Sequence, residues 1–197
     1  MIDEDKLKQA IIQKAMELFF KFGYSNTTTQ QIAEELEISK KTIYKYFPSK
    51  ESLLETVMEQ EHQQMASKLS ALANDSSLDF VEKATRLSEA MVIGSAKLSP
   101  QFIKDLQKVR FSSWSCQQYD EQILVYLEKM VRQGIDQGLI RKDVNIDLVL
   151  LMVACIQGQL SFAMLSRIGL TLTDGISGIV RIMNQGILTE EARQQYE

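Results

Sequence analysis

Residues 28–47 read TTQQIAEELEISKKTIYKYF, and this stretch decides the fold at the amino-terminal end of the chain. With Thr29 as the first position, a helix-turn-helix needs apolar residues at the fourth, eighth, tenth, fifteenth and eighteenth positions. It also needs a small residue at the fifth, where the two helices cross closely. The sequence supplies all of them: Ile32, Leu36, Ile38, Ile43 and Tyr46, with Ala33 at the crossing. The spacing therefore predicts a helix-turn-helix, a unit whose second helix enters the major groove of DNA.

The lysines around this stretch point in the same direction. Lys40 and Lys41 fall in the first turn of the predicted second helix of the unit, and Lys50 falls in the first turn of the helix after it. A cation there opposes the helix dipole by about 0.3–1 kcal/mol. A DNA phosphate at these helix ends would reverse the sign of that effect. Chance placement of a common surface residue remains the alternative interpretation.

Charge is divided unevenly along the chain. The net charge is -4, yet residues 6–50 carry eight lysines against four glutamates, and residues 39–50 carry four lysines and no acid. From residue 51 onward, 19 acidic residues outnumber 14 basic ones. A small basic segment on an acidic body is typical of a protein that meets phosphate at one end only.

Helical periodicity runs through nearly the whole chain, and no stretch alternates like a strand, so we predict an all-α fold of about nine helices. Helix ends are marked by residues that favour them: Gly23, Thr28, Ser39, Ser49, Ser99-Pro100 and Gly138. A break is expected at residues 74–77. An eighth helix is expected over about 147–168, and a ninth contains Ile176, Ile179, Val180, Met183 and Ile187.

The apolar arc of the predicted eighth helix is too broad for a single core contact. Its residues Val149, Val153, Ile156 and Leu160 and those of the ninth helix, Ile176, Ile179, Val180 and Met183, are the candidate interface of a homodimer. Glycines 175, 178 and 186 on the ninth helix permit close helix approach. Burial in the centre of a single subunit is the alternative.

The stretches FFKFGY at 19–24, Thr27-Thr28 with Ile32-Ala33, SKKTIYKYF at 39–47, Lys50-Glu51 and Leu53 together resemble the DNA-binding head of TetR-family regulators. Residues 134–141, GIDQGLIR, with Asp143, are similar to a weaker signature of that family's second domain. The resemblance covers about 45 residues of the head.

This resemblance implies an amino-terminal DNA-binding domain, residues 1–50, and a helical effector-binding and dimerisation domain, residues 51–197. It implies two all-helical subunits joined through their last two long helices, a palindromic DNA operator, and repression relieved by an unknown small-molecule effector. Carried over by position, the DNA-contacting residues are Thr28, Thr29, Ser39, Lys40, Lys41, Thr42, Tyr44, Lys45, Tyr46 and Lys50. A helical protein-interaction module with residual DNA binding is the alternative function.

Glu37 departs from the family pattern, which often has glycine in the turn between the two helices. If that turn needs a positive φ, a residue with a Cβ there costs about 1–2 kcal/mol. The carboxylate would also lie near DNA phosphates and weaken binding. We expect the fold to tolerate Glu37 and the affinity to be reduced.

Aromatic and sulfur-containing side chains are candidates for lining an effector pocket in the second domain. The candidate residues are Met91, Phe102, Phe111, Trp114, Tyr119, Tyr126, Met130, Met152, Gln159 and Phe162. Ordinary core packing is the alternative for each of them.

Other functional classes have little support in the sequence. No glycine-rich phosphate loop, catalytic triad or positioned carboxylate pair is present, so we expect no enzyme and no cofactor. His62 with two separated cysteines makes no metal site. Two cysteines and an amino terminus without an apolar signal core favour a cytoplasmic protein. Residues 148–166 carry no charge, but polar residues interrupt their apolar run, so we expect a buried helix and no membrane span.

Overall fold

The computed structural model describes residues 4–106, 108, 114–150 and 169–196, and in these ranges the chain is helical. The first helices are α1 (Glu4–Phe22), α2 (Thr29–Glu35), α3 (Lys40–Tyr46), α4 (Lys50–Asn74) and α5 (Phe80–Ala96). They are followed by α6 (Pro100–Leu106), α7 (Trp114–Asp136), α8 (Leu172–Ile187) and α9 (Glu190–Tyr196). The predicted all-α class is confirmed. Among the described residues, the extended pairing is a single isolated bridge between Ile140 and Leu188.

The helix ends were predicted correctly, because each predicted end carries a residue that caps a helix or stops it locally. Gly23 closes α1 with φ 93°, and Gly138 follows α7 with φ 73°, a backbone region that glycine enters without steric cost. The Ser49 hydroxyl accepts from the Ser52 N–H at 3.0 Å and caps α4. Pro100 occupies the first position of α6, as predicted.

Two features of the helix pattern were not predicted. Helix α7 begins at Trp114, before the apolar stripe from which it was predicted. The short helix α9 has a polar sequence with no stripe, and its stability comes from the burial of Ala192 in the core and from Thr189, whose hydroxyl accepts from the Ala192 N–H. Residues 146–150 begin the predicted eighth helix; the rest of it, 151–168, lies outside the described residues.

The chain divides into two compact units. The first contains residues 1–64 and 97–117, and the second contains residues 65–96 and 118–197. The functional division predicted at residue 50 stays a prediction.

The first unit is built on one apolar core. Its fully buried members come from α1, α2, α3, the start of α4, and α6: Ile11, Ile12, Ala15, Phe19, Ile32, Ala33, Ile43, Phe47, Leu53, Leu54, Val57 and Phe102. Leu36, Ile38 and Tyr46 pack against it, partly buried. Each large apolar side chain buried in this way contributes about 1.5–3 kcal/mol. All six positions predicted for the helix-turn-helix therefore point into one core.

The second unit holds two smaller apolar clusters, and one glycine decides how closely its helices approach. A Cβ added at Gly134 of α7 would lie 2.7 Å from Phe80 Cγ and 2.8 Å from Ile140 Cδ1. The Gly134 carbonyl also accepts from the N–H groups of Leu139 and Ile140. The signature that begins at Gly134 thus marks a close packing position.

Lys83 is buried in the second unit. Its ammonium donates to the Ala73 carbonyl at 3.2 Å and to the Gln133 side chain at 2.6 Å. It thereby satisfies a carbonyl at the end of α4, where the helix dipole favours a cation. Burial lowers the pKa of Lys83.

Candidate nucleic-acid interface

The turn between α2 and α3 fixes the angle at which α3 leaves the core. Glu37 has φ 54°, the left-handed conformation that favours glycine. Its N–H donates to the Glu34 carbonyl at 3.1 Å, and the Ile38 N–H donates to the Ala33 carbonyl at 2.9 Å. The turn does require a positive φ, so Glu37, which has a Cβ, costs about 1–2 kcal/mol of stability there.

Both helices of the unit begin with the caps that the sequence predicts. The Thr28 hydroxyl accepts from the Gln31 N–H at 3.1 Å, and the Gln31 side chain accepts from the Thr28 N–H at 2.8 Å. This is the reciprocal capping box. Ser39 caps α3, because its hydroxyl accepts from the Thr42 N–H at 3.1 Å. The two seven-residue helices are therefore held at their starts by their own side chains.

Helix α3 has one buried and one exposed face. Ile43 is buried, whereas Lys40, Lys41, Tyr44 and Lys45 are exposed. The residues of α3 contribute three cations, a phenol and no acid to this face, so the helix presents positive charge and hydrogen-bond donors to solvent.

Tyr44 is held at two points on this face. Its hydroxyl lies 3.3 Å from the Thr29 hydroxyl, a hydrogen bond in which either group can donate. The Lys40 ammonium lies 5.6 Å from the centre of its ring, within range of a cation–π interaction. Tyr44 is 41% exposed, whereas Thr29 is only 6% exposed. The predicted contact residue Thr29 thus lies beneath the surface.

Lys45 is paired with an acid from the amino-terminal helix. Its ammonium lies 2.6 Å from a carboxylate oxygen of Glu4, and this hydrogen bond raises the pKa of Lys45. Both side chains are largely exposed, so the pair is screened by solvent and salt. The ammonium also lies 5.3 Å from the ring centre of Tyr46. Lys45 is available to a phosphate only in competition with Glu4.

Lys50 is half-buried and turned towards the core of the first unit. Its ammonium donates to the Tyr24 carbonyl and lies 4.1 Å from the centre of the Tyr24 ring. Burial lowers the pKa of Lys50, and the charge of Asp105 acts in the opposite direction. Lys50 therefore contributes to packing in this structure, and its predicted phosphate contact stays a prediction.

Helix α6 is bound to the α1–α2 connection by a buried carboxylate that sequence reasoning missed. Asp105 is 4% exposed and accepts from the N–H of Ser25 at 2.8 Å, the Ser25 hydroxyl at 3.0 Å and the Gln101 amide at 2.8 Å. Burial alone would raise the pKa of Asp105, but these hydrogen bonds outweigh it, and the pKa lies below its ordinary value. Ser25 and Asp105 lie 80 residues apart, and no local pattern announces such a pairing.

The predicted effector-pocket residues are dispersed through the described structure. Phe102 is in the core of the first unit, beside the Phe20 ring. Met130 and Tyr126 pack in an apolar cluster of the second unit. Met91 is half-buried. The others lie wholly, or with their side chains, outside the described residues: Phe111, Trp114, Tyr119, Met152, Gln159 and Phe162. The pocket stays a prediction.

The predicted dimer residues are partly described. Val149 is buried in the second unit, and Ile176 and Ile179 on α8 are half-buried. Val153, Ile156 and Leu160 lie outside the described residues, as do the side chains of Val180 and Met183. On the same helix, the apolar Ile182 is 70% exposed.

Two further features of the described residues concern membranes and metal ions. None of the described helices is long and apolar enough to cross a membrane. Within the same ranges, no three His, Cys, Asp or Glu side chains are grouped so as to hold a metal ion.

Comparison with known proteins adds a family and a fold. The family described as bacterial regulatory proteins, tetR family, matches residues 11–57, which contain the helix-turn-helix. An uncharacterised HTH-type transcriptional regulator of Bacillus subtilis, YuxN, is 50% identical over 54 residues, 27% of this chain and 18% of YuxN. A second from that organism, YvkB, is 28% identical over 132 residues, 64% of this chain and 69% of YvkB. The chain thus matches less than a fifth of the length of YuxN.

A solved structure extends the similarity to the whole fold. SmeT, described as the repressor of the Stenotrophomonas maltophilia multidrug efflux pump SmeDEF, superimposes with a TM-score of 0.66 at 19% identity. The superposition covers 94% of this chain and 92% of SmeT. At this identity the likeness concerns the fold alone.

Proposed function

We propose, because this chain belongs to the tetR family of bacterial regulatory proteins, that it is a sequence-specific DNA-binding transcriptional regulator. The observation that carries the proposal is the exposed face of α3, where three lysines and Tyr44 stand opposite the buried Ile43. An α-helix with its side chains is about 10–12 Å across, which fits a major groove about 12 Å wide.

Two kinds of contact are expected from this face. Lys40, Lys41 and, after it leaves Glu4, Lys45 would neutralise phosphates, which gives affinity with little sequence preference. Thr42 and Tyr44 can exchange hydrogen bonds with base edges, which gives sequence preference. Thr28 and Ser39 cap their own helices, so their part in DNA binding would come from positioning the backbone.

A salt series on a selected operator tests these roles. Lys41→Ala should lower the slope of log K against log salt by about two units in a dimer, since each lost phosphate contact removes about 0.9. Thr42→Ala should leave the slope unchanged and relax discrimination between operator variants. Lys68→Ala, an exposed lysine further along α4, is the matched control. An unchanged slope for Lys41→Ala would contradict the proposed phosphate contact.

Lys50→Ala is expected to lower the slope by the same amount, but this variant also loses the contact with Tyr24. Its thermal unfolding must therefore be measured beside its DNA binding. A stability loss without a change of slope would assign Lys50 to packing alone.

We further propose a homodimer that binds both halves of a palindromic operator. The family resemblance supports it, and Ile182, which is 70% exposed on α8, is an apolar side chain that such an interface would cover. Ile182→Glu should shift the molecular mass in light scattering from dimer to monomer, whereas Gln185→Glu on the same helix should not. Ile156→Glu and Leu160→Glu are expected to act like Ile182→Glu. A monomeric unmutated protein at micromolar concentration would refute the dimer.

We propose that residues 51–197 bind a small apolar or amphipathic effector and that its binding releases DNA. The family resemblance supports the effector, and the description of SmeT as a repressor supports only the control of transcription. Trp114 is the only tryptophan in the sequence, so its fluorescence can report the effector. Fluorescence change and DNA release must occur together, because a ligand shifts the DNA equilibrium only through differential affinity. Such a regulator would act in the cytoplasm, where it meets DNA.

A further inference from the structure

Thr29 is in the wrong place for the DNA contact that its position in the family pattern implies. It is 6% exposed and lies at the first position of α2, between the exposed residues Thr28 and Gln30. A side chain covered to this extent is poorly placed to reach a phosphate directly. Any contribution of its buried hydroxyl to the exposed face of α3 must therefore pass through a neighbouring side chain.

Its partner is the most exposed aromatic side chain of the reading helix. The Thr29 hydroxyl lies 3.3 Å from the hydroxyl of Tyr44, fifteen residues further along the chain and on the neighbouring helix. A tyrosine that is 41% exposed has little packing to restrict its two side-chain torsions. Two contacts restrict the torsions of Tyr44 in place of packing. One is the hydrogen bond at its hydroxyl, and the other is the Lys40 ammonium, 5.6 Å from the centre of its ring.

We propose that Thr29 is a positioning residue for DNA recognition: its buried hydroxyl fixes the direction in which Tyr44 presents its phenol to DNA. This inference rests on the proposed function of the α3 face. It differs from the expectation carried over by position, because Thr29 acts through Tyr44 and makes no contact of its own.

The chemistry of the pair also determines what Tyr44 can recognise. Each hydroxyl has one proton to donate and lone pairs to accept. Phosphate oxygens and the O6 and N7 atoms of guanine accept only, so Tyr44 must donate to them. Thr29 must then donate to the Tyr44 oxygen, which leaves the phenol proton directed outward. When Tyr44 instead accepts from a base amino group, the same pair reverses and Tyr44 donates to Thr29.

A double-mutant cycle on the full-length protein tests the inference. Thr29→Val keeps the shape and removes the hydroxyl, Tyr44→Phe removes its partner, and Thr29→Ser keeps the hydroxyl as the conservative control. Thr29→Val and Tyr44→Phe should each weaken operator binding about fivefold per subunit, the effect of one ordinary hydrogen bond. The double variant should be no weaker than Tyr44→Phe, and Thr29→Ser should retain most of the affinity.

Two further measurements separate this inference from the function on which it rests. The Tm of Thr29→Val should fall by only about 2–4 °C, the loss of one ordinary hydrogen bond, so the variant stays folded under the binding conditions and a merely structural loss is excluded. In the absence of DNA, 3-fluorotyrosine labelling and fluorine NMR should show the Tyr44 signal, identified by its loss in Tyr44→Phe, shifted by Thr29→Val and little changed by Thr29→Ser.

The possible outcomes are distinct. If the unmutated protein selects an operator but Thr29→Val binds it equally well, the positioning role is wrong and the regulator function stands. If the two single losses add in the double variant, Thr29 contacts DNA independently and the inference is equally wrong. If the unmutated protein selects no operator, the proposed function itself fails, whatever the fluorine spectra show about the pair.

Discussion

Glu37→Gly should stabilise the protein, because Glu37 holds the turn between α2 and α3 in a conformation that costs a side chain free energy. Its φ of 54° lies in the left-handed region. That conformation costs a residue with a Cβ about 1–2 kcal/mol. Glycine removes the cost but loses about 0.5–1 kcal/mol of its own to greater freedom in the unfolded chain. The free energy of unfolding should therefore rise by about 0.5–1 kcal/mol.

Calorimetry or circular dichroism can measure the change, since 1 kcal/mol shifts Tm by about 2–4 °C in a protein of this size. Glu37→Gln is the matched control: it removes the charge and keeps the Cβ, so its Tm should not rise. Both variants remove a negative charge beside the α3 face, and both should bind DNA more tightly at low salt. A Tm of Glu37→Gly equal to or below that of Glu37→Gln would refute the strain argument.

Three further predictions follow from contacts inside each unit. Glu4→Gln should tighten DNA binding at low salt about two- to threefold by releasing Lys45, and anisotropy titrations would contradict this if affinity were unchanged. Asp105→Asn should lower the free energy of unfolding by about 2 kcal/mol by weakening the hydrogen bonds from Ser25. Because folding lowers the pKa of Asp105, the stability that its carboxylate contributes is present above the unfolded-state pKa and is lost as pH falls through the folded-state pKa. If the Tm of the variant and the Tm of the unmutated protein fell in parallel at acid pH, this prediction would be contradicted. Gly134→Ala should cost about 1–3 kcal/mol through overpacking, and an unchanged Tm would show that the neighbouring side chains yield freely.

The sequence was most informative where function and fold depend on local rules. Caps, turns and apolar spacing act over three to ten residues, so Thr28, Ser39 and Gly23 identified the helix ends and Ile43 identified the buried face. Family resemblance and spacing agreed over these residues because the same short-range packing underlies both.

Contacts between distant parts of the chain were not predictable in this way. The pairing of Asp105 with Ser25 and the burial of Phe102 depend on α6 packing against α1, for which no local pattern exists. The burial of Thr29 and the hydrogen bond from Lys50 to the Tyr24 carbonyl were not predictable either, because the direction of a side chain is set by neighbours from other parts of the chain.

Selection of an operator from a random duplex library, followed by binding isotherms, tests the central claim most directly. The full-length protein should enrich a palindromic sequence and bind it at least about 10³-fold more tightly than a scrambled duplex at physiological salt. Tyr44→Phe should reduce that ratio and keep the residual affinity for the scrambled duplex. Equal affinity for both duplexes, or no enriched sequence, would contradict the assignment of α3 as a DNA-reading helix.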